Sequence, residues 1–162
     1  MLQRGFSLIE LMTVVAVAVI VLGIGVPGMR GLVVSQQLTG AANALHASIK
    51  LARSEAISRG ARVEIAPAAP GVWAAGWVVY IDQDGNGSYG AGDQLLYSHG
   101  PLRAGFMVTT TFAQNSIPYT GTGRALAAGT LKLSAHGQGR NITVNLLGRT
   151  RICRPAEVGK DC

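Results

Sequence analysis

Gly148-Arg149-Thr150-Arg151, followed by Ile152-Cys153-Arg154, puts three guanidinium groups within six residues. On an extended strand, side chains two apart face the same way, which projects Arg149 and Arg151 together. A guanidinium is planar, and its fork can donate two hydrogen bonds at once to phosphate oxygens. The surrounding charge has the same sign. From Arg124 to Cys162 there are seven basic residues, Arg124, Lys132, Arg140, Arg149, Arg151, Arg154 and Lys160. Only Glu157 and Asp161 oppose them, which leaves +5 of the chain's +6 in its last quarter. The candidate phosphate contacts are Arg149 and Arg151, helped by Arg140, Arg154 and Lys132, with Gly148 letting the backbone turn tightly or approach a partner. The bland alternative is a solvated basic strand that keeps the domain soluble or meets an acidic neighbour.

A second pattern is acidic. Asp82, Asp84, Asn86, Gly87 and Asp93 fit the spacing of an EF-hand calcium loop, with Asp at the twelfth position in place of Glu. The flanks Val78 to Ile81 and Gln94 to Tyr97 read as strands, whereas an EF-hand needs two helices. The preferred reading is a hairpin loop in which Asp and Asn cap turns and Gly supplies positive φ. No metal or other cofactor is expected. Catalytic patterns are absent: His46, His99 and His136 are scattered, nothing has zinc-ligand spacing, and no glycine-rich phosphate loop joins a strand to a helix. The chain does not read as an enzyme.

The elements that must position these residues are legible. Leu38, Ala42, Leu45, Ile49, Ala52 and Ala56 recur at spacings of three and four, which predicts an amphipathic helix ending near Gly60. Strands are expected over Arg62–Ala66, Val72–Ile81, Gln94–Ser98, Phe106–Phe112, Thr130–Ser134, Asn141–Leu147 and Arg149–Cys153. Trp73 and Trp77 read as core residues. Short strands and twenty-two glycines suggest two small antiparallel sheets with the helix lying against one of them.

From Phe6 to Met29 the only charged residue is Glu10. As a helix this segment measures about 36 Å, against a bilayer core of about 30 Å. A carboxylate inside such a span costs roughly 2.5–3.5 kcal/mol, so Glu10 is a functional candidate, unless it snorkels to water near the interface. Pro27, with Gly23, Gly25 and Gly28 around it, should kink or locally melt the helix. A secretory signal peptide would end its apolar core in a small-residue cleavage site. Here a glycine, Gly5, instead separates the basic tip from the apolar run.

That junction, Gly5-Phe6-Ser7-Leu8-Ile9-Glu10-Leu11-Met12, resembles a type IV prepilin. The resemblance implies that a prepilin peptidase removes residues 1–5 by cutting after Gly5 and methylates Phe6. It also implies that Glu10 pairs with the N-terminal amine of a neighbouring subunit during assembly. The partners would be other pilin subunits, the peptidase and the bacterial inner membrane. The chain would be a single-pass membrane protein before assembly and part of a periplasmic or cell-surface pilus afterwards. Residues 6–29 would be the transmembrane and filament-core helix, 30–60 its amphipathic continuation, and 61–162 a β domain, giving the α+β type IV pilin fold. In that oxidising compartment Cys153 and Cys162 would form a disulfide that pins the basic tail.

The run Leu45 to Ile65, containing Ala52-Arg53-Ser54-Glu55-Ala56-Ile57, is similar to the FimT, FimU and GspH group of minor pilins and pseudopilins. The Gly-Arg-x-Arg followed by a cysteine resembles the C-terminal motif of FimT-type minor pilins, which bind DNA during uptake for natural transformation. These resemblances imply non-sequence-specific DNA binding. The alternatives they leave are a structural pilin that primes assembly or sits at the tip, and a GspH-like pseudopilin of type II secretion.

Overall fold

The computed structural model describes residues 7–159, with side chains throughout that range except at 24–28 and 30. Helix α1 spans Leu8–Arg59. The chain divides into two compact units inside this helix, at Gln36 and Gln37.

In the first unit, Ser7 caps the helix. Its hydroxyl oxygen accepts from the Glu10 amide at 3.3 Å, and its carbonyl accepts from the same amide at 3.1 Å. Ser7 and Glu10 have the spacing of a capping box, and an acid in the first turn complements the helix dipole. Leu8 through Leu22 present an exposed apolar surface, with Leu8 at 77% and Leu22 at 61%. The helix passes Pro27 without a break in its secondary structure, so the local melting expected there is not seen. One missing amide bond is compatible with a helix whose neighbouring turns are already propagated. No helix among the described residues is long and apolar enough to cross a membrane. The expected span 6–29 begins outside the described residues, and only its side chains at 7–23 and at Met29 are described.

In the second unit the predicted stripe is the core. Leu38, Ala42, Leu45, Ile49, Ala52 and Ala56 are all fully buried. Gly60 ends the helix at φ 62°, and the Ala61 amide closes the cap on the Ala56 carbonyl at 3.3 Å. This six-to-one bond with a left-handed glycine is a Schellman motif.

Eight strands follow: β1 Val63–Ala69, β2 Val72–Ile81, β3 Gln94–His99, β4 Met107–Thr110, β5 Ile117–Tyr119, β6 Gly129–Ala135, β7 Gln138–Val144 and β8 Thr150–Cys153. They form two antiparallel sheets, ordered β3-β2-β1-β5 and β4-β6-β7-β8. Strand β5 was not anticipated, because Pro118 at its centre argues against a strand. It is tolerated on an edge of the first sheet, where β5 pairs with β1 on one side and meets only an isolated bridge, Tyr119 to Ala125, on the other.

The helix packs against both sheets rather than one. From the first sheet, Trp77 Nε1 donates to Ser48 Oγ at 2.9 Å inside the core. From the second, Thr150 and Arg140 reach the helix at His46 and Thr39. Trp73 and Trp77 are buried, as core residues should be. Between β6 and β7, His136 at φ 46° and Gly137 at φ 75° make a two-residue hairpin turn, the type that matches strand twist.

Candidate nucleic-acid interface

The arginine motif is built by the turn between β7 and β8. After Val144 the chain leaves the sheet through Asn145, Leu146, Leu147 and Gly148. The Asn145 amide donates to the Arg149 carbonyl at 3.1 Å, and its side-chain oxygen accepts from the Arg149 amide at 2.9 Å. The Gly148 amide closes the turn on the Asn145 carbonyl at 2.8 Å. Gly148 is buried at φ 74°, and a Cβ there would collide with the Gly123 carbonyl oxygen. Backbone conformation and close approach both require glycine.

Strand register decides which side chains accompany the arginines. Arg151 lies opposite Thr143, and Thr143 lies opposite Thr130. Directly opposed residues share a sheet face, so a row runs Arg151, Thr143, Thr130 across three strands. Thr111 extends it: its amide donates to the Thr130 carbonyl at 3.1 Å, and its hydroxyl accepts from the Thr130 amide at 2.9 Å. Arg149 precedes Arg151 by two residues. Together with the threonines and Asn145 the two arginines line an open groove of about 710 Å³. Both are exposed, and neither guanidinium has a polar partner among the described residues. Threonine hydroxyls can donate as well as accept, so the groove offers charged forks beside neutral donors.

Arg149 also borders a second groove of about 480 Å³, lined from α1 by Lys50, Arg53, Ser54 and Ile57. Lys50 and Arg53 lie on α1 outside the apolar stripe. Nothing in their spacing links them to Arg149, because the link is made by docking the helix on the second sheet. Arg53 is also structural: Nε donates to the Gly123 carbonyl at 3.0 Å, and Nη2 to the Leu147 carbonyl at 3.2 Å. Nearby, His46 Nε2 and Thr150 Oγ1 are 2.7 Å apart. Burial, and then the Lys50 charge, lower the His46 imidazole from its ordinary pKa.

The remaining expected contacts divide. Arg154 follows β8 and is exposed. Arg140 is not brought to the arginine face. It lies opposite Leu133, one position out of phase with Thr143, and donates to the Thr39 hydroxyl at 3.1 Å and to the Gly139 carbonyl at 2.7 Å. Lys132 donates to the Gly159 carbonyl at 2.8 Å, so its ammonium is engaged with the chain's own tail. Glu10 is exposed in the first helical turn. Gly5, Phe6, Lys160 and Cys162, the expected partner of Cys153, lie outside the described residues. Asp82, Asp84, Asn86 and Asp93 belong to the loop between β2 and β3, in the other sheet.

Comparison with known proteins gives a consistent picture. The family model described as type II transport protein GspH matches residues 41–148, and a prokaryotic N-terminal methylation motif matches residues 1–26. The pilin-like protein PilA1 of Thermus thermophilus is 28% identical, over 94% of this chain and 99% of its own length. The fold is similar to that of the type IV minor pilin FimU of Pseudomonas aeruginosa, with a TM-score of 0.65 and 23% identity, covering 76% of this chain and 96% of that one. It is also similar to the minor pseudopilin EpsH from the type 2 secretion system of Vibrio cholerae, with a TM-score of 0.57 and 16% identity, covering 75% and 99%.

Proposed function

The chain belongs to the family of the type II transport protein GspH, and from that premise we propose that it is a non-enzymatic minor pilin that captures DNA, without sequence preference, for uptake in natural transformation. The observation that carries this reading is the pair Arg149 and Arg151. Both guanidinium groups are exposed, have no polar partner among the described residues, and share one groove with four threonines. Other cations of the basic tail are engaged elsewhere, Arg140 toward the helix and Lys132 on the Gly159 carbonyl. Guanidinium groups held on a strand, as Arg151 is, and at the end of the rigid turn before it, as Arg149 is, lose little freedom on binding and suit phosphate geometry. Contacts of this kind position a backbone and read no bases. Arg154 adds to the same field, and Lys50 extends it past Arg149.

The N-terminal methylation motif and the exposed apolar surface from Leu8 to Leu22 support an anchor in the inner membrane before assembly and a place in a filament afterwards. In this reading the prepilin peptidase acts at Gly5 and Phe6, Glu10 neutralises a neighbouring N-terminus, and a Cys153–Cys162 disulfide pins the tail. Binding of labelled duplex DNA to the full chain in non-ionic detergent is the test. A double substitution of Arg149 and Arg151 that leaves affinity unchanged would remove the DNA reading. The second reading, a structural subunit of a pilus or of a type II secretion pseudopilus, is favoured by the family match itself. It predicts that such a variant loses assembly or secretion and not DNA affinity.

A further inference from the structure

The loop between β2 and β3 is not an EF-hand, since strands flank it, yet it gathers its acids. One carboxylate oxygen from each of Asp82, Asp84 and Asp93 lies within 4.8 Å of the others. Gathered acids alone are common on surfaces. What singles this group out is its buried end. The Glu64 and Asp82 side chains are both fully buried, and they share one guanidinium, that of Arg62, which is itself one-third exposed. Arg62 Nε is 3.1 Å from Asp82 Oδ2, and Nη2 bonds Glu64. Tyr80 OH adds a neutral donor to Glu64 at 3.3 Å. Asp82 Oδ2 also accepts the Gly87 amide at 3.3 Å, but two buried carboxylates still face a single cation, and buried charge without a full counter-charge is costly. Asp82 Oδ1 is buried and receives no hydrogen bond among the described residues. It sits on the residue that contributes the buried corner of the three-carboxylate group.

From this we infer that Asp82, Asp84 and Asp93 form a calcium site. Calcium takes six to eight oxygen ligands at about 2.4 Å, so oxygens on opposite sides of one ion can be about 4.8 Å apart. The observed grouping fits without drawing the loop inward. The remaining positions go to water and to loop carbonyls. Magnesium demands shorter bonds and stricter octahedral geometry, and is the poorer fit. Asp84 and Asp93 already accept loop amides, from Asn86 at 3.1 Å and from Gln83 and Gly90 at 3.0 and 2.9 Å. These bonds aim the carboxylates but leave their charge in place. A bound ion would tie the end of β2, at Asp82, to the start of β3, at Asp93, and would supply the missing positive charge. With Asp at the twelfth position and Arg62 alongside, affinity belongs to the weak extracellular class, about 0.1–1 mM.

The test is calcium titration of the full chain in non-ionic detergent, by calorimetry and by calcium displacement of terbium. Tyr89 lies in the loop and its ring is 5.3 Å from that of Tyr80, so tyrosine excitation should sensitise terbium emission. Wild type should bind one calcium per chain. The double variant Asp84→Asn, Asp93→Asn should bind at least tenfold more weakly with an unchanged circular dichroism spectrum. Should that variant unfold, Asp93→Glu, which keeps the charge and lengthens the twelfth-position ligand, should bind more tightly than wild type. No binding by wild type up to about 10 mM calcium would overturn the site. Equal affinity in the double variant, or in Asp93→Glu, would overturn it as well.

Discussion

Arg53, on the helix, donates through Nη2 to the carbonyl oxygen of Leu147, two residues before Arg149, at 3.2 Å. Its Nε takes the Gly123 carbonyl at 3.0 Å, so one guanidinium holds two turns of the β domain against α1. A hydrogen bond from a charged group is worth roughly 1.5–3 kcal/mol. Arg53→Met should therefore cost about 2 kcal/mol in urea denaturation of the full chain, and Arg53→Lys, which keeps the charge but not the fork, should recover only part of it. An Arg53→Met variant as stable as its parent would show that the turn stands without the clamp.

The DNA reading has a quantitative signature in salt. Each phosphate neutralised on duplex DNA contributes about −0.9 to the slope of log K against log salt. Replacing Arg149 and Arg151 by Ala should flatten that slope by up to about two units and weaken binding to all sequences alike. Affinity of the parent should be micromolar or weaker near physiological salt, with scrambled DNA competing as well as any chosen site. Fold and pilus assembly should survive, because both side chains are exposed and the stem is untouched. An unaltered slope in the double variant excludes these arginines as the contacts.

Stability should depend on His46 in a defined direction. Burial and Lys50 depress its folded pKa below 6.5, so the unfolded chain binds the proton more readily. Its contribution to stability is complete above pH 6.5 and is lost as pH falls through the folded value, because unfolding then takes up a proton. The denaturation midpoint should drop between about pH 7 and pH 5, and His46→Gln, which cannot titrate yet can still bond Thr150, should make that drop shallower. Parallel pH profiles for the two proteins would assign the loss to other groups.

Processing is checked by mass. Protein recovered from assembled filaments should begin at N-methylated Phe6. It should also be two hydrogens light until reduced, if Cys153 and Cys162 are bridged. An intact Met1, or a cut near Ala16, would contradict assembly as a pilin.

Periodicity made much of this molecule readable in advance. The stripe from Leu38 to Ala56 had to face a core because its spacing leaves no other buried face. Gly60 had to end the helix, since a left-handed residue closes the cap there. The alternation expected of a strand put Arg149 beside Arg151, and both line one groove, although β8 begins at Thr150 and Arg149 lies in the turn before it. The acidic loop showed its ligand types in its spacing, although its flanks argued against a metal.

The tertiary structure alone decided how these pieces meet. By residue type Arg140 matches Arg151, yet the register places Thr143, and not Arg140, on the arginine face, and a shift of one residue would have reversed that. Lys50 and Arg53 joined Arg149 only when the helix docked on the second sheet. Arg62 became the shared partner of Glu64 and Asp82 only when β1 and β2 aligned with Val63 opposite Ile81. Helical and strand periods are local properties of the chain, so sequence carries them directly. Register and docking depend on which distant surfaces bury each other best, and no stretch of sequence states that by itself.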